Sequence, residues 1–183
     1  MDLIGNLLIA PPSVKGNFWY KTVIMVTEHH KQGSIGIVLN KRSELTIADL
    51  GIQLNLDLDD IPGYVYIGGP VSQKSLSIIH SNEWSCSNTM RLNKYFSISS
   101  SIDMLPKFER GDLPRHWRMF VGMCGWAHQQ LDNEIHGNHP YKHETSWCLA
   151  TSNIDLVFDS DNKEQWAASL EQSGLEFAQN VLA

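Results

Sequence analysis

The chain has 183 residues, with 14 Lys and Arg against 20 Asp and Glu, a formal net charge of −6. A chain of this length can bury roughly 70% of its unfolded surface, so it needs no disulfide or metal staple, and one domain over residues 1–183 is expected. The negative balance disfavours direct nucleic-acid binding, and the nearest basic group (Arg110, Arg115 and Arg118, mixed with His116 and Trp117) reads as a solvated loop. Three scattered cysteines, Cys86, Cys124 and Cys148, fit reduced thiols in a cytoplasmic protein. The start of the chain is acidic and its apolar run too short for a secretory signal, and no stretch nears the roughly 18 apolar residues of a membrane span.

In chain order, Asn6–Ala10 predicts a short strand stopped by Pro11-Pro12. Asn17–Tyr20 is an aromatic turn. Thr22–Thr27, rich in β-branched residues, and Ser34–Leu39 form a hairpin across a His29–Gly33 turn. Gly36 within the second strand marks a bulge or a close backbone approach. Thr46 caps a short helix to about Leu50, with Asp49 completing a capping box. A loop through Asp57–Asp60 and Pro62-Gly63 leads to a strand at Tyr64–Ile67, which ends at Gly68-Gly-Pro-Val71. Further strands are expected at Ser75–Ile79, Met90–Leu92 and Tyr95–Ile98. A helix capped by Ser100 or Ser101 then runs through Met104 and Leu105.

Met119–Val121 reads as a buried strand, broken by Gly122 and Gly125 into a tight turn that feeds a helix. Ala127, Leu131 and Ile135 fall four apart on that helix, with Gln130 and Glu134 beside them. A strand, a glycine turn and a helix N-terminus together are a common ligand position. His136–Glu144 is a loop by local rules. Ser146–Ala150 and Ile154–Phe158 are expected as strands. A closing helix, capped by Asp161 or Asn162, carries Trp166, Ala167 and Leu170 on one face until Gly174 interrupts it. Strands and helices interleave irregularly, which predicts α+β.

Gly5-Asn-Leu-Leu-Ile-Ala-Pro11, Glu28-His29, Gly33-Ser-Ile-Gly-Ile-Val-Leu-Asn-Lys41, Gly68-Gly-Pro-Val71, the strand ending in His80, and Gly122–Ile135 occur in one order. On these motifs the chain resembles the YqgE/AlgH family of bacterial proteins of unknown function, over almost its whole length. Gln129-Gln-Leu-Asp132 stands where the family pattern usually has Gly-Gln-Leu-Glu, and His139–Glu144 resembles an insertion ahead of Trp147. The resemblance implies an α+β fold with a bifurcated, mostly antiparallel sheet rolled into a partial barrel with flanking helices. It implies no established reaction; one member is named as a regulator of alginate synthesis.

His136, His139 and His143, with His128 and Glu144, supply enough ligands for zinc or nickel, but Gly137 and Pro140 break any helix that would align them, so no metal is expected. Cys124 near a helix N-terminus could be activated as a thiolate, with His80 or His29 as a base; a buried spacer is the favoured reading. Glu28 and Glu134 could pair as carboxylates, with Asn40 and Gln130 as amide partners; buried polar groups that satisfy the backbone around bulges and turns are the favoured reading. Nucleotide-binding loops and a nucleophile elbow are missing from the sequence.

The expected ligand-binding set is therefore Glu28, His29, Asn40, Gly69, Pro70, His80, Gly125, Trp126, Gln130 and Glu134, with no catalytic residue and no cofactor. Gly125 should adopt φ > 0 or meet another backbone, and Trp126 should bury its ring. Gln130 and Glu134 should face the 28–40 hairpin and the Gly68–Pro70 turn across one concavity. The first reading is a non-catalytic module that binds a small molecule or a protein, or regulates. The alternative is a small hydrolase or transferase using Cys124 or a histidine at the 122–126 turn. A structural protein acting through a sheet edge is third.

Overall fold

The computed structural model describes residues 2–100, 102–160 and 162–182. β1 (Leu7–Ile9) is followed by the hairpin of β2 (Val23–His30) and β3 (Gly33–Val38), whose turn is shorter than expected because His29 and His30 stay in the strand. β2 is buried on both faces: Val23 and Met25 enter one apolar cluster, Ile24 and Val26 another, which accounts for its unbroken apolar run. β4 (Arg42–Thr46) was not expected, because Arg42-Ser-Glu has no apolar alternation. α1 (Ile47–Leu54) starts as predicted: Thr46 Oγ1 accepts from Asp49 N at 3.0 Å, and the Asp49 carboxylate accepts from Thr46 N. β5 (Tyr64–Ile67), β6 (Val71–Ser81), β7 (Met90–Arg91) and β8 (Phe96–Ser99) follow, β6 being longer than Ser75–Ile79.

α2 (Met104–Glu109) has Asp103, not a serine, at its N-cap, and Ser101 lies outside the described residues. Pro106 is tolerated because its missing N–H falls in the first turn, where no intrahelical partner exists. β9 (Trp117–Ala127) runs straight through the glycines expected to end it. Gln129, in the left-handed region at φ 56°, then turns the chain into α3 (Gln130–His136). Leu131 of α3 is buried and Ile135 packs beside it, while Ala127 is exposed at the strand end. After β10 (Cys148–Ala150), residues Asp155–Asp159 form a π-helical turn rather than a strand. α4 (Asn162–Leu182) passes Gly174 uninterrupted; Gln165 and Ser169 are buried with Trp166 and Leu170 packed on the core, and Ala167 is exposed. Asp161, one of the two expected caps, lies outside the described residues.

Among the described residues ten strands form one curled sheet in the order β10-β1-β2-β3-β9-β6-β8-β7, with β4 and β5 as a branch. All pairs are antiparallel except β5 on β9. The sheet forks on β9. Residues 119–121 pair with β5 and 117–123 with β6, whereas 124–127 leave to pair with β3. Gly122 sits at the fork with φ +77°, and a Cβ there would lie 2.4 Å from the Gly69 carbonyl oxygen. Gly68 and Gly69 run against the backbone of residues 122–124 so closely that any side chain would collide. The Gly68-Gly69-Pro70 motif is thus the packing device of the bifurcation.

Candidate functional site

A cleft of about 320 Å³ opens where the end of β9, α3 and the segment before β10 meet the N-terminal loop. Its walls are Trp19, Trp126, Trp147 and Tyr141, with Pro11 and Val14 at one side. Trp147 stands nearly perpendicular to both other indoles, at 88° to Trp19 (centroids 5.9 Å) and 82° to Trp126 (6.5 Å). Glu134 lies in this corner. Its Oε2 accepts from Trp126 Nε1 at 3.0 Å and Trp147 Nε1 at 2.8 Å, and its Oε1 accepts from Gln130 Nε2 at 2.8 Å. Gln130 in turn accepts from Ala127 N through Oε1 at 3.0 Å, so one amide both fixes the entry to α3 and aims the carboxylate. The four-residue spacing on the helix face brings Gln130 and Glu134 together.

The expected set therefore divides. Gly125, Trp126, Gln130 and Glu134 border the cleft. Gly125 does so as an exposed strand residue without a positive φ, and a side chain there would begin in open space. A Cβ on Gly36 would come within 2.7 Å of Ile24 Cγ2 and 3.1 Å of both the Met25 carbonyl oxygen and the Trp126 ring; the Met25 carbonyl is the close backbone approach expected of that glycine. The 28–40 hairpin and the Gly68–Pro70 turn are not the opposite wall of the cleft.

Glu28 follows a bulge in β2 and faces a different cleft with Ser75 and Met123, so it does not pair with Glu134. His29 ties the hairpin to α3 through Ser34 Oγ at 2.8 Å and Asp132 at 3.7 Å. Asn40 is buried with both ends used: it accepts from Val23 N and donates to the Lys21 carbonyl. Gly69 belongs to the fork and Pro70 is exposed beyond it. His80 is fully buried; its Nδ1 donates to the Ser81 carbonyl at 2.9 Å, which leaves Nε2 to accept from Ser99 Oγ at 2.9 Å. Burial pushes the His80 imidazole below its usual value, opposed by the Ser81 bond and Glu83.

Cys124 sits in the core beneath α3, with its Sγ 3.6 Å from the Gly68 carbonyl. Burial pushes the thiol up to about 12, the opposite of an activated nucleophile, and no glycine turn or helix N-terminus stands at 122–126 to lower it. His136 bonds the Asp132 carbonyl through Nδ1, and the His143 ring packs on Gly137. Among the described residues no three His, Cys, Asp or Glu side chains converge as metal ligands. Arg118, expected in a solvated loop, is buried in β9.

The AlgH-like family model matches residues 7–178. The chain belongs to the AlgH-like family. UPF0301 proteins of Shewanella denitrificans and Shewanella loihica are 33% and 30% identical to it, each over 98% of this chain and 96% of the relative. The solution structure of the AlgH protein from Pseudomonas aeruginosa is similar with a TM-score of 0.73 at 27% identity, covering 93% of this chain and 88% of that one. A crystal structure of a Corynebacterium diphtheriae protein gives 0.71 at 23% identity over 92% and 85%, a likeness of fold alone. Family membership accords with the curled antiparallel half-barrel and its helices. No helix among the described residues is long and apolar enough to cross a membrane.

Sequence reasoning missed Trp19, Trp147 and Tyr141. Three of the chain's six tryptophans border one cleft, but Trp19 lies more than a hundred residues before Trp126, and Trp147 follows it across the whole of α3 and the loop behind it. The usable signal was Trp126 itself: a buried indole N–H needs an acceptor, and a carboxylate that satisfies two such groups draws the second ring to the first.

Proposed function

We propose that the protein is a non-catalytic binding module of the cytoplasm, one domain in extent, whose small-molecule ligand occupies the tryptophan cleft on Glu134. The observation that carries this reading is the Glu134 carboxylate, fixed by two indoles and Gln130 in a concavity that Trp19, Trp126, Tyr141 and Trp147 line together with Pro11, Val14 and Asn17. Ligand sites combine apolar walls with a few oriented polar groups, and about 320 Å³ lies at the lower end of their usual range of about 300–1,000 Å³. A regulatory role would follow from ligand-dependent ordering of the 138–147 segment, which contributes Tyr141 and Trp147. The hydrolase or transferase alternative finds little support in a buried thiol raised to about 12.

The test is a metabolite screen followed by indole N–H resonances in 1H–15N NMR spectra. Hits should move the Trp126 and Trp147 signals, and Glu134→Gln should abolish those shifts while amide dispersion stays native. Hits that perturb only residues around Glu28 and Ser75 would transfer the site to the other cleft.

A further inference from the structure

Resting on that reading, we infer that the cleft takes a cation, and specifically a methylated ammonium head group that donates no hydrogen bonds. Among the described residues Glu134 is the one charged side chain bordering the cleft, and no Lys, Arg or His borders it. Among the described residues no basic group pairs with this carboxylate, whose partners are all neutral N–H donors. Neutral donors orient the charge without cancelling it. An anionic ligand would meet Glu134 and the negative ring faces with no base to receive it. A cation gains from both, since indole and phenol faces attract positive charge and the carboxylate adds a full countercharge in a partly desolvated corner.

The hydrogen-bond count narrows the class. A carboxylate offers about four acceptor positions, and three are filled: two on Oε2 and one on Oε1. A guanidinium needs a two-pronged carboxylate face, and a primary ammonium needs acceptors for three N–H groups. Glu134 keeps one position on Oε1, and the two side-chain amides that also line the cleft are engaged, Asn17 Oδ1 accepting from Trp19 N at 2.9 Å and Gln130 Oε1 from Ala127 N. A quaternary ammonium requires only charge and apolar surface, which Trp19, Trp147 and Tyr141 supply.

The experiment titrates the full chain with choline, its neutral isostere 3,3-dimethylbutan-1-ol, guanidinium and pivalate, reading the Trp126 and Trp147 indole signals. Choline should bind about 10- to 30-fold more tightly than the neutral alcohol. Glu134→Gln should erase most of that difference. Because that amide presents a donor to one indole and could disturb the corner, Trp19→Leu is the second variant; it should weaken choline about 3- to 30-fold without touching the carboxylate.

A peptide bearing trimethyllysine presents the same head group from a protein. Binding tighter than choline assigns the head to a side chain, and weaker binding assigns it to a free metabolite; either supports the class. If the alcohol or pivalate binds as well as choline at these indoles, the cleft stands as a site and the cation is overturned. Guanidinium matching choline would overturn the exclusion of donor cations. If no probe of any charge moves the indoles, both this inference and the binding role of the cleft fall.

Discussion

Cys124 and His80 are the residues whose chemistry a sequence reader would most readily overvalue, since each is a potential nucleophile or base near a family motif. Their surroundings remove that potential by the same means. Both are buried among apolar and backbone groups that favour the uncharged form. For Cys124 the folded thiol holds its proton more tightly than the unfolded one, so its contribution to stability is complete below the unfolded value and lost as pH rises. The window runs from about 9 to about 12. Urea melts from pH 8 to 10.5 should therefore show the parent losing stability more steeply than Cys124→Ala. At neutral pH that variant should be destabilised by about 1–2 kcal/mol, and the parent thiol should alkylate more slowly than Cys86. Rapid modification of folded Cys124 would restore the nucleophile. His80 carries the opposite sign: its folded value is depressed, so its share of stability is present above about pH 6.5 and lost as pH falls through the lower folded value. The His80 ring should charge only below the free imidazole value by imidazole 15N shifts, and a ring that charges at 6.5 or above would contradict the buried Ser81–His80–Ser99 chain.

At the scale of elements, β9 separates what pattern can reveal from what it cannot. The strands β1, β2, β3 and β5 were legible because their apolar and β-branched runs are local, and the start of α1 because the capping box at Thr46 and Asp49 needs only four residues. The two glycines of β9 were misread because a glycine marks two different things. Gly122 has a positive φ and a carbonyl where its side chain would go; Gly125 has neither. Which glycine is constrained depends on Gly68 and Gly69 arriving from more than fifty residues away, and no local window contains that. The cleft was half legible for the same reason: Trp126, Gln130 and Glu134 are neighbours on one strand–helix unit, while Trp19 and Trp147 reach them only through tertiary packing. The π-helical turn at Asp155–Asp159 shows a third limit, since a short apolar run does not distinguish strand from buried helix. These contrasts give a paired expectation. Gly122→Ala combines a left-handed backbone with a clash at the Gly69 carbonyl and should destabilise by about 2–4 kcal/mol. Gly125→Ala, exposed and unhindered, should stay within about 0.5 kcal/mol of the parent in thermal or urea melts. Equal losses would mean that the sheet does not fork at Gly122.

Over the whole molecule, the forked sheet must be closed against α4, and Arg118 joins the two. Its guanidinium leaves β9, stacks 4.4 Å from the Tyr66 ring centre, and donates to the Leu39 carbonyl at 2.8 Å and Gln165 Oε1 at 3.0 Å. It also reaches the Phe158 and Ser160 carbonyls at 3.5 and 3.3 Å. Gln165 extends the link by donating to the Leu156 carbonyl at 2.9 Å. One planar fork thus serves a strand end, the π-helical turn and the helix, which a lysine point charge would not reproduce. α4 then reaches the cleft wall, because Trp166 Nε1 donates to the Ala10 carbonyl at 2.8 Å, next to Pro11. Arg118→Leu fills similar space but leaves those carbonyls and Gln165 without their donor, at about 1–3 kcal/mol for each group that water does not reach. The expected loss is about 3 kcal/mol or more, with Arg118→Lys intermediate. Hydrogen exchange should localise the damage: amides of residues 156–170 should exchange much faster, while those of the β2–β3 hairpin keep their protection. An Arg118→Leu protein that melts with the parent and protects α4 equally would mean that apolar packing of Trp166 and Leu170 alone holds the helix to the sheet.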